Sequence, residues 1–173
     1  MEHNEKITNE EYEYVDHIQS ITLNPFFMSR IIHAFVSGYE KAEKEVIPFN
    51  LLYIVLPIIY YRPSRKLLIK AQSRSSLRSL FVDDLEKAAA LGGLQERLFY
   101  FYNLTNQSFI IAANEGRVRL NSDGWIELSK TIDYKDVLNK NVRDFIRAAH
   151  YLGLLCSKME VSNVYRLLGV TLL

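Results

Sequence analysis

The chain has 173 residues, of which 49% are hydrophobic and 24% are charged, and its formal net charge is +1. This composition is that of a globular protein and argues against long disordered regions, while a charge so near zero excludes a general attraction for polyanions. Any nucleic-acid contact must therefore come from a local cluster of basic residues. We expect a single domain over residues 1–173, because chains of this length usually form one compact unit.

The cellular compartment is indicated by the cysteine count and by the distribution of apolar residues. Cys156 is the only cysteine, so no internal disulfide can form and a reducing compartment fits. Residues 1–5 are polar and acidic, unlike the apolar stretch of a signal peptide. The longest apolar run, residues 51–61, is shorter than the roughly 20 residues that cross a bilayer. We predict a cytoplasmic protein with no membrane contact.

Two helices are predicted in the first forty residues. Thr8, with a glutamate three residues later, is typical of a capping box and opens a helix that ends near Thr22. Asn24 as N-cap, followed by Pro25 at the first helical position, opens the second helix. Gly38 predicts that this second helix weakens or ends shortly after it, before a charged connector over residues 41–45.

The segment that follows Pro48, residues 49–61, is apolar on every side, so we expect it at the centre of the fold. Pro57 lies inside this segment. Because a proline within a helix removes a hydrogen bond and clashes with the preceding turn, it predicts a kink or a break. A short helix over residues 64–69 completes a helical N-terminal part of about residues 8–70.

A winged-helix-like part is predicted over about residues 75–130. Helical periodicity resumes at Leu77, and the pair Gly92-Gly93 interrupts it. Residues 94–103 form a helix that residues 105–114 continue or follow with another. The residues of this helix expected to face inward are Leu98, Phe99 and either Phe101 or Tyr102.

The clearest β signal is a hairpin over residues 117–128, whose strands alternate in polarity around a turn containing Asp123-Gly124. Helices followed by a hairpin are the order of a winged-helix module, although a hairpin appended to a helical bundle gives the same pattern. C-terminal helices follow over about residues 140–170, the first capped by Asn141 and the last beginning at Ser162 and closed by Gly169. The predicted fold is mainly α with one β-hairpin, a helical domain containing a winged-helix-like module.

The sequence offers no template for catalysis or cofactor binding. None of the four histidines stands in a zinc-binding arrangement, and we interpret His17 and His33 as helix-surface or satisfied core residues. Cys156 lies six residues from His150, on a different face of one helix, so it is predicted to be a small buried residue. Phosphate-binding glycine motifs and a nucleophile elbow are absent from the sequence. We expect no catalytic residue, no metal and no cofactor.

One catalytic alternative is a metal-dependent nuclease site on the hairpin, built from Asp123, Glu127 and Lys130. The spacing from Glu127 to Lys130 is one residue too long to place both on one strand face. Asp123 is better explained by the Asp-Gly turn. An enzyme is therefore the weakest hypothesis.

Basic residues are concentrated in two places. A stretch without any acid contains six of them: Arg62, Arg65, Lys66, Lys70, Arg74 and Arg78. Arg117 and Arg119 alternate outward on the hairpin, as in a wing that enters a minor groove. All eight are candidate contacts for nucleic acid or for an acidic protein partner, and a solvated surface explains them equally well.

With these segments in place, the chain resembles the middle component of three-component ABC systems (ABC-3C) in bacteria. The resemblance is carried by short motifs in a fixed order: Leu23-Asn24-Pro25, Ser37-Gly38-Tyr39, Ile47-Pro48, Val55-Leu56-Pro57, Tyr61-Arg62-Pro63-Ser64-Arg65, the helix and hairpin of residues 108–128, residues 148–153 and residues 164–170.

The resemblance implies a non-catalytic adaptor encoded with an SMC/Rad50-like ABC ATPase and with an effector such as a nuclease. It also implies a role in bacterial anti-phage or anti-plasmid defence, with Lamassu-type systems as a close relative. Three hypotheses follow: an adaptor that links the ATPase to the effector, with DNA contact inside the complex; a winged-helix DNA-binding regulator; and an enzyme using the hairpin acids.

Overall fold

The computed structural model describes residues 23–40 and 47–171. Its α-helices in chain order are α1 (Pro25–Glu40), α2 (Val55–Tyr60), α3 (Arg62–Ile69), α4 (Leu77–Phe81), α5 (Leu85–Ala88), α6 (Leu94–Asn114), α7 (Lys140–Cys156) and α8 (Val161–Leu168). Short 3₁₀ helices lie at Phe49–Ile54, Ala89–Leu91 and Tyr134–Asp136. The strands are β1 (Ile47–Pro48), β2 (Val118–Leu120) and β3 (Trp125–Leu128). The predicted class, mainly helical with a β-hairpin, is confirmed.

The start of α1 follows from its capping residues. The side-chain oxygen of Asn24 accepts a hydrogen bond from the backbone N–H of Phe26 at 2.9 Å, and Pro25 is the first helical residue. This confirms the predicted start. The earlier helix predicted from Thr8 and the charged connector both lie outside the described residues.

Helix α1 is the central element of the fold, because it packs extensively against both α7 and α6 and is buried along most of its length. The predicted end of this helix shortly after Gly38 is confirmed, because α1 ends at Glu40, although Gly38 itself lies inside the helix. A Cβ atom at Gly38 would overlap the backbone carbonyl of His150, and one at Gly153 would overlap the carbonyl of Phe35. Gly38 and Gly153 therefore allow α1 and α7 to approach closely.

The apolar segment after Pro48 lies in the core, as predicted, but its break is not at Pro57. The 3₁₀ helix Phe49–Ile54 gives way to α2 at Val55, so Pro57 is the third residue of an α-helix. The first N–H groups of a helix have no intrahelical acceptor, which makes a proline acceptable there. The predicted short helix that follows is α3, which begins at Arg62.

Helix α6 runs without interruption from Leu94 to Asn114, so the two predicted stretches are one helix. Gly93, with a φ of +66°, separates α6 from the preceding 3₁₀ helix. Leu98 and Phe101 are buried as predicted, whereas the inward prediction for Phe99 is wrong, because Phe99 is 62% exposed. The reason is geometric: Phe99 lies on the side of α6 that faces away from α1.

The three strands form an antiparallel sheet in the order β1-β3-β2. The predicted hairpin is confirmed, with Val118 opposite Leu128 and the Asn121 side chain accepting from the backbone N–H groups of Asp123 and Trp125. Strand β1 adds Ile47 opposite Ile126. Its two residues are too few to show a strand pattern in the sequence, so it could not be predicted.

The C-terminal helices α7 and α8 are where they were predicted, with shifted starts. Asn139, not Asn141, caps α7, since its side-chain oxygen accepts from the N–H of Val142 at 3.1 Å. Helix α8 begins at Val161, slightly before the predicted start, and ends at Gly169 with a φ of +67°. The single-domain division and the winged-helix assignment stay predictions.

Candidate functional site

Arg65 is half-buried, and its guanidinium is engaged within the chain rather than free for a partner. Its guanidinium donates to the carbonyls of Ile59 at 2.7 Å and Tyr60 at 3.3 Å, and it lies 4.0 Å from the ring centroid of Phe145. Burial lowers the pKa of Arg65 from its ordinary value. Because these carbonyls end α2 without helical partners, Arg65 caps that helix and joins it to α7.

The two hairpin arginines are paired within the chain. Arg117 forms an ion pair with Glu115 and donates to the hydroxyl of Ser29 at 3.2 Å. Arg119 forms an exposed ion pair with Glu127, and this hydrogen bond is the main cause that lowers the pKa of Glu127 and raises the pKa of Arg119. The proposed wing contacts, and the carboxylate of the nuclease alternative, therefore already have partners.

The remaining predicted cations are exposed. Arg62, Lys66 and Lys70 recur every four residues and share one face of α3 and its C-cap. Arg74 lies in the loop that follows, and Arg78 is 4.0 Å from Asp83 in a solvent-exposed pair. Exposed pairs of this kind contribute little to stability.

A shallow depression of about 380 Å³ between α3 and α7 brings further cations beside that face. Ile69 of α3 lines it together with Lys135, Lys140, Arg143 and Arg147. The one acid in its lining, Asp144, is 3.4 Å from the Lys140 ammonium. We call this set the α3–α7 basic surface: Arg62, Lys66, Lys70, Lys135, Lys140, Arg143 and Arg147.

The four cations from residues 135–147 were missed by the sequence analysis. About seventy residues separate them from α3, and on their own they resemble any charged helix face. Only the packing of α3 against α7 brings the two groups together. The signal that could have found them is the four-residue spacing of Arg143 and Arg147 on the predicted helix.

A second surface of different chemistry lies on α6. Seven exposed residues share one face at 100° per residue and contain no cation. We call this set the α6 outer stripe: Glu96, Phe99, Tyr100, Asn103, Gln107, Ile110 and Asn114. Phe99, Tyr100 and Ile110 are 62%, 63% and 56% exposed. Both α6 and α7 pack on α1, and the stripe and the basic surface have no residue in common.

His33 and Cys156 are buried residues of α1 and α7. His33 is buried, and its Nε2 lies 2.5 Å from the carbonyl oxygen of Lys130, so Nε2 must carry the proton that it donates. Cys156 is fully buried, and burial raises the pKa of its thiol. The predictions of a satisfied core histidine and a small buried cysteine are confirmed for these two residues. His17 lies outside the described residues.

Lowering the pH is expected to destabilise the protein through His33. Burial is the main cause that lowers the pKa of His33 from its ordinary 6.5, so the folded protein binds this proton less readily than the unfolded chain. The stability that neutral His33 contributes is present above pH 6.5 and is lost as the pH falls below it. We expect the melting temperature of wild type to fall between pH 7.5 and 5.5.

The matched variant is His33→Gln, which keeps a hydrogen-bond donor for Lys130 but does not titrate. Its melting temperature should fall less over the same pH range, as measured by circular dichroism. Parallel curves for wild type and variant would show that His33 does not contribute to the pH dependence.

The described residues provide neither a metal-binding cluster nor a membrane-spanning helix. Across residues 23–40 and 47–171, no group of three or more His, Cys, Asp or Glu side chains is placed to hold a metal ion. In the same ranges, no helix combines the length and the apolar character needed to cross a membrane.

Comparison with known proteins gives one match. The sequence model of the family described as "ABC-three component (ABC-3C) system Middle Component 3" matches residues 13–172. Neither the curated proteins nor the solved structures contain a significant match. The family match spans nearly the whole chain, which confirms the resemblance seen in the sequence. The chain therefore belongs to the Middle Component 3 family of ABC-three component systems.

Proposed function

We propose that this protein is a non-catalytic adaptor that docks on the ABC ATPase of its system through the α6 outer stripe and links that ATPase to an effector. The observation that carries the proposal is an exposed aromatic face without cations in a chain of a middle-component family. The proposal includes an SMC/Rad50-like ATPase, a cytoplasmic location and a role in bacterial defence against phage or plasmids.

The composition of the stripe favours a protein partner. Protein interfaces concentrate their binding energy in a few aromatic anchors and deplete charged residues at their centre. Phe99 and Tyr100 are consecutive residues near the N-terminal end of the stripe, and amide side chains lie further along it. A helix of 21 residues is about 30 Å long, which suits an interface that buries at least ~1,000 Å².

The alternative, a winged-helix DNA-binding regulator, is supported by the strand order. Strand β1 precedes helices α2 to α6 and pairs with β3 of the hairpin that follows them. In such a module, α6 would be the helix that enters the major groove. Its one basic residue, Arg97, instead donates to the carbonyls of Pro57 and Gly92. Helix α6 therefore offers no free basic side chain for DNA, which favours docking of a protein on its exposed face.

Replacing the aromatic anchors should break the complex. The test is to co-express the chain with the ATPase and effector encoded beside it and to purify the complex at moderate salt. Omitting this chain should leave the effector unable to co-purify with the ATPase. Phe99→Ser with Tyr100→Ser should weaken binding to the ATPase at least about tenfold, because each anchor in such interfaces contributes more than 1 kcal/mol.

The control variant replaces two exposed leucines that lie outside the stripe, Leu85 and Leu138, which are 90% and 95% exposed. Leu85→Ser with Leu138→Ser removes similar apolar area and should leave binding unchanged. A wild-type chain that separates cleanly from both partners would refute the adaptor proposal. Equal binding by the two double variants would refute the docking face.

A further inference from the structure

The charge of the chain is unevenly divided between its first 22 residues and the rest. Residues 1–22 contain six acidic residues and one lysine, which leaves 20 basic and 14 acidic residues in the remainder. The near-zero net charge of the whole chain therefore conceals a basic body. This basic remainder can attract a polyanion even though the whole chain is nearly neutral.

The α3–α7 basic surface is where this excess is gathered on one side of the fold. Its seven cations come from α3 and its C-cap, from the 3₁₀ helix Tyr134–Asp136 and from the first half of α7, and the four of residues 135–147 line the depression. Asp144 is the one acid that lines the depression, and it already pairs with Lys140. For Lys135, Arg143 and Arg147, no ion pair is formed within the described part of the chain.

Arg147 is held in place at the edge of the depression. The carbon of its guanidinium lies 5.4 Å from the ring centroid of Tyr134 and 5.3 Å from that of Tyr151. Arg143 precedes it by one turn on the same face of α7. An arginine positioned by aromatic rings loses less side-chain entropy when it binds an anion.

The composition of the surface indicates the class of ligand. Interfaces with nucleic acid are more polar and far more positively charged than interfaces between proteins, which usually contain an apolar centre. Here the lining consists mainly of lysine and arginine, with Ile69 and Tyr134 as its apolar contribution. The α6 outer stripe has the opposite composition.

We propose that the α3–α7 basic surface binds the phosphate backbone of duplex DNA without sequence preference. Lysine and arginine contacts to phosphates position a protein on DNA but do not read its bases. This contact is separate from the docking of the ATPase, and it replaces the hairpin arginines as the site of DNA contact.

The experiment measures binding of the full chain to two unrelated 30-base-pair duplexes by fluorescence polarisation, over a salt series from 50 to 200 mM. Wild type should bind both duplexes equally, with an affinity that falls steeply as salt rises. Lys135→Glu with Arg143→Glu should weaken binding at least about tenfold at the lowest salt and reduce the slope of log affinity against log salt by about two, one for each lost phosphate contact.

The control is Lys87→Glu with Arg166→Glu, which makes the same change in net charge at residues that are not part of the α3–α7 basic surface. It should lose less than about threefold in affinity, and circular dichroism should show that both variants remain folded. Equal losses in the two variants would refute the site, as would wild type that does not bind at 50 mM salt. Binding of polyglutamate but not of DNA would also overturn the proposal.

Discussion

Gly38→Ala and Gly153→Ala are each expected to lower the free energy of unfolding by about 3 kcal/mol or more, and the melting temperature by roughly 6–12 °C. At each position, a new Cβ atom would overlap a backbone carbonyl of the facing helix. Backbone atoms cannot rotate away as a flexible side chain can, so α1 and α7 would have to separate. Because these helices form the most extensive pairing in the fold, their separation would loosen the packing of many core side chains.

Helix propensity predicts the opposite sign. Both glycines lie inside helices, where replacing glycine by alanine normally stabilises by about 1 kcal/mol. The contact between α1 and α7 must therefore outweigh that gain. The two effects act on the same residue, so the direction of the measured change decides between them.

Chemical denaturation and thermal melting of the purified chain test this expectation. Gly92→Ala is the control, because Gly92 has an ordinary φ of −52° and a Cβ there would meet only the carbonyl oxygen of Ala89 at 3.2 Å. That variant should change stability by less than about 1 kcal/mol. Stabilisation by Gly38→Ala or Gly153→Ala would contradict the packing of α1 on α7.

Arg65→Ala should destabilise the protein by about 2–3 kcal/mol, which corresponds to a fall in melting temperature of roughly 5–10 °C. The substitution removes two charge-assisted hydrogen bonds to the carbonyls at the end of α2 and the contact with the Phe145 ring. Arg65→Lys should recover little of the loss, because an ammonium cannot stack on the ring and reach both carbonyls as the planar group does.

The neighbouring residue provides the control for Arg65. Lys66→Ala removes one exposed cation from the next position of α3 and should change stability by less than about 0.5 kcal/mol. If Arg65→Ala were as mild as Lys66→Ala, Arg65 would belong to the surface cations after all. Thermal melts of the three variants in one buffer separate these outcomes.

The proposed functions use different surfaces, which makes them separable by mutation. The α6 outer stripe should govern binding to the ATPase, and the α3–α7 basic surface should govern binding to DNA. Substitutions in the stripe should leave DNA binding unchanged, and substitutions in the basic surface should leave ATPase binding unchanged. An adaptor that holds both an ATPase and DNA would need this arrangement, since a shared surface would force the two ligands to compete.

Local signals in the sequence were enough to predict most of the elements. The Asn24-Pro25 start, the turn at Asp123-Gly124 and the stop at Gly169 depend on hydrogen bonds and backbone angles within a few residues. Short-range geometry of this kind is a property of the local residues, which explains why these predictions were confirmed. The short motifs, taken in order, were also enough to indicate the family.

The helical class and the hairpin could be predicted from the sequence because periodicity, capping residues and turn residues act locally, and the family could be predicted from the order of short motifs. The folded chain was needed to show how Gly38 is used and that Arg65 is engaged, because His150 and Phe145, which they face, lie more than fifty residues away along the sequence. Gly38 lies close to the end of α1, as predicted, and it also allows the close contact with α7 at His150. Arg65 looked like its neighbour Lys66, yet its guanidinium is bound to the carbonyls of α2 and packed on the ring of Phe145.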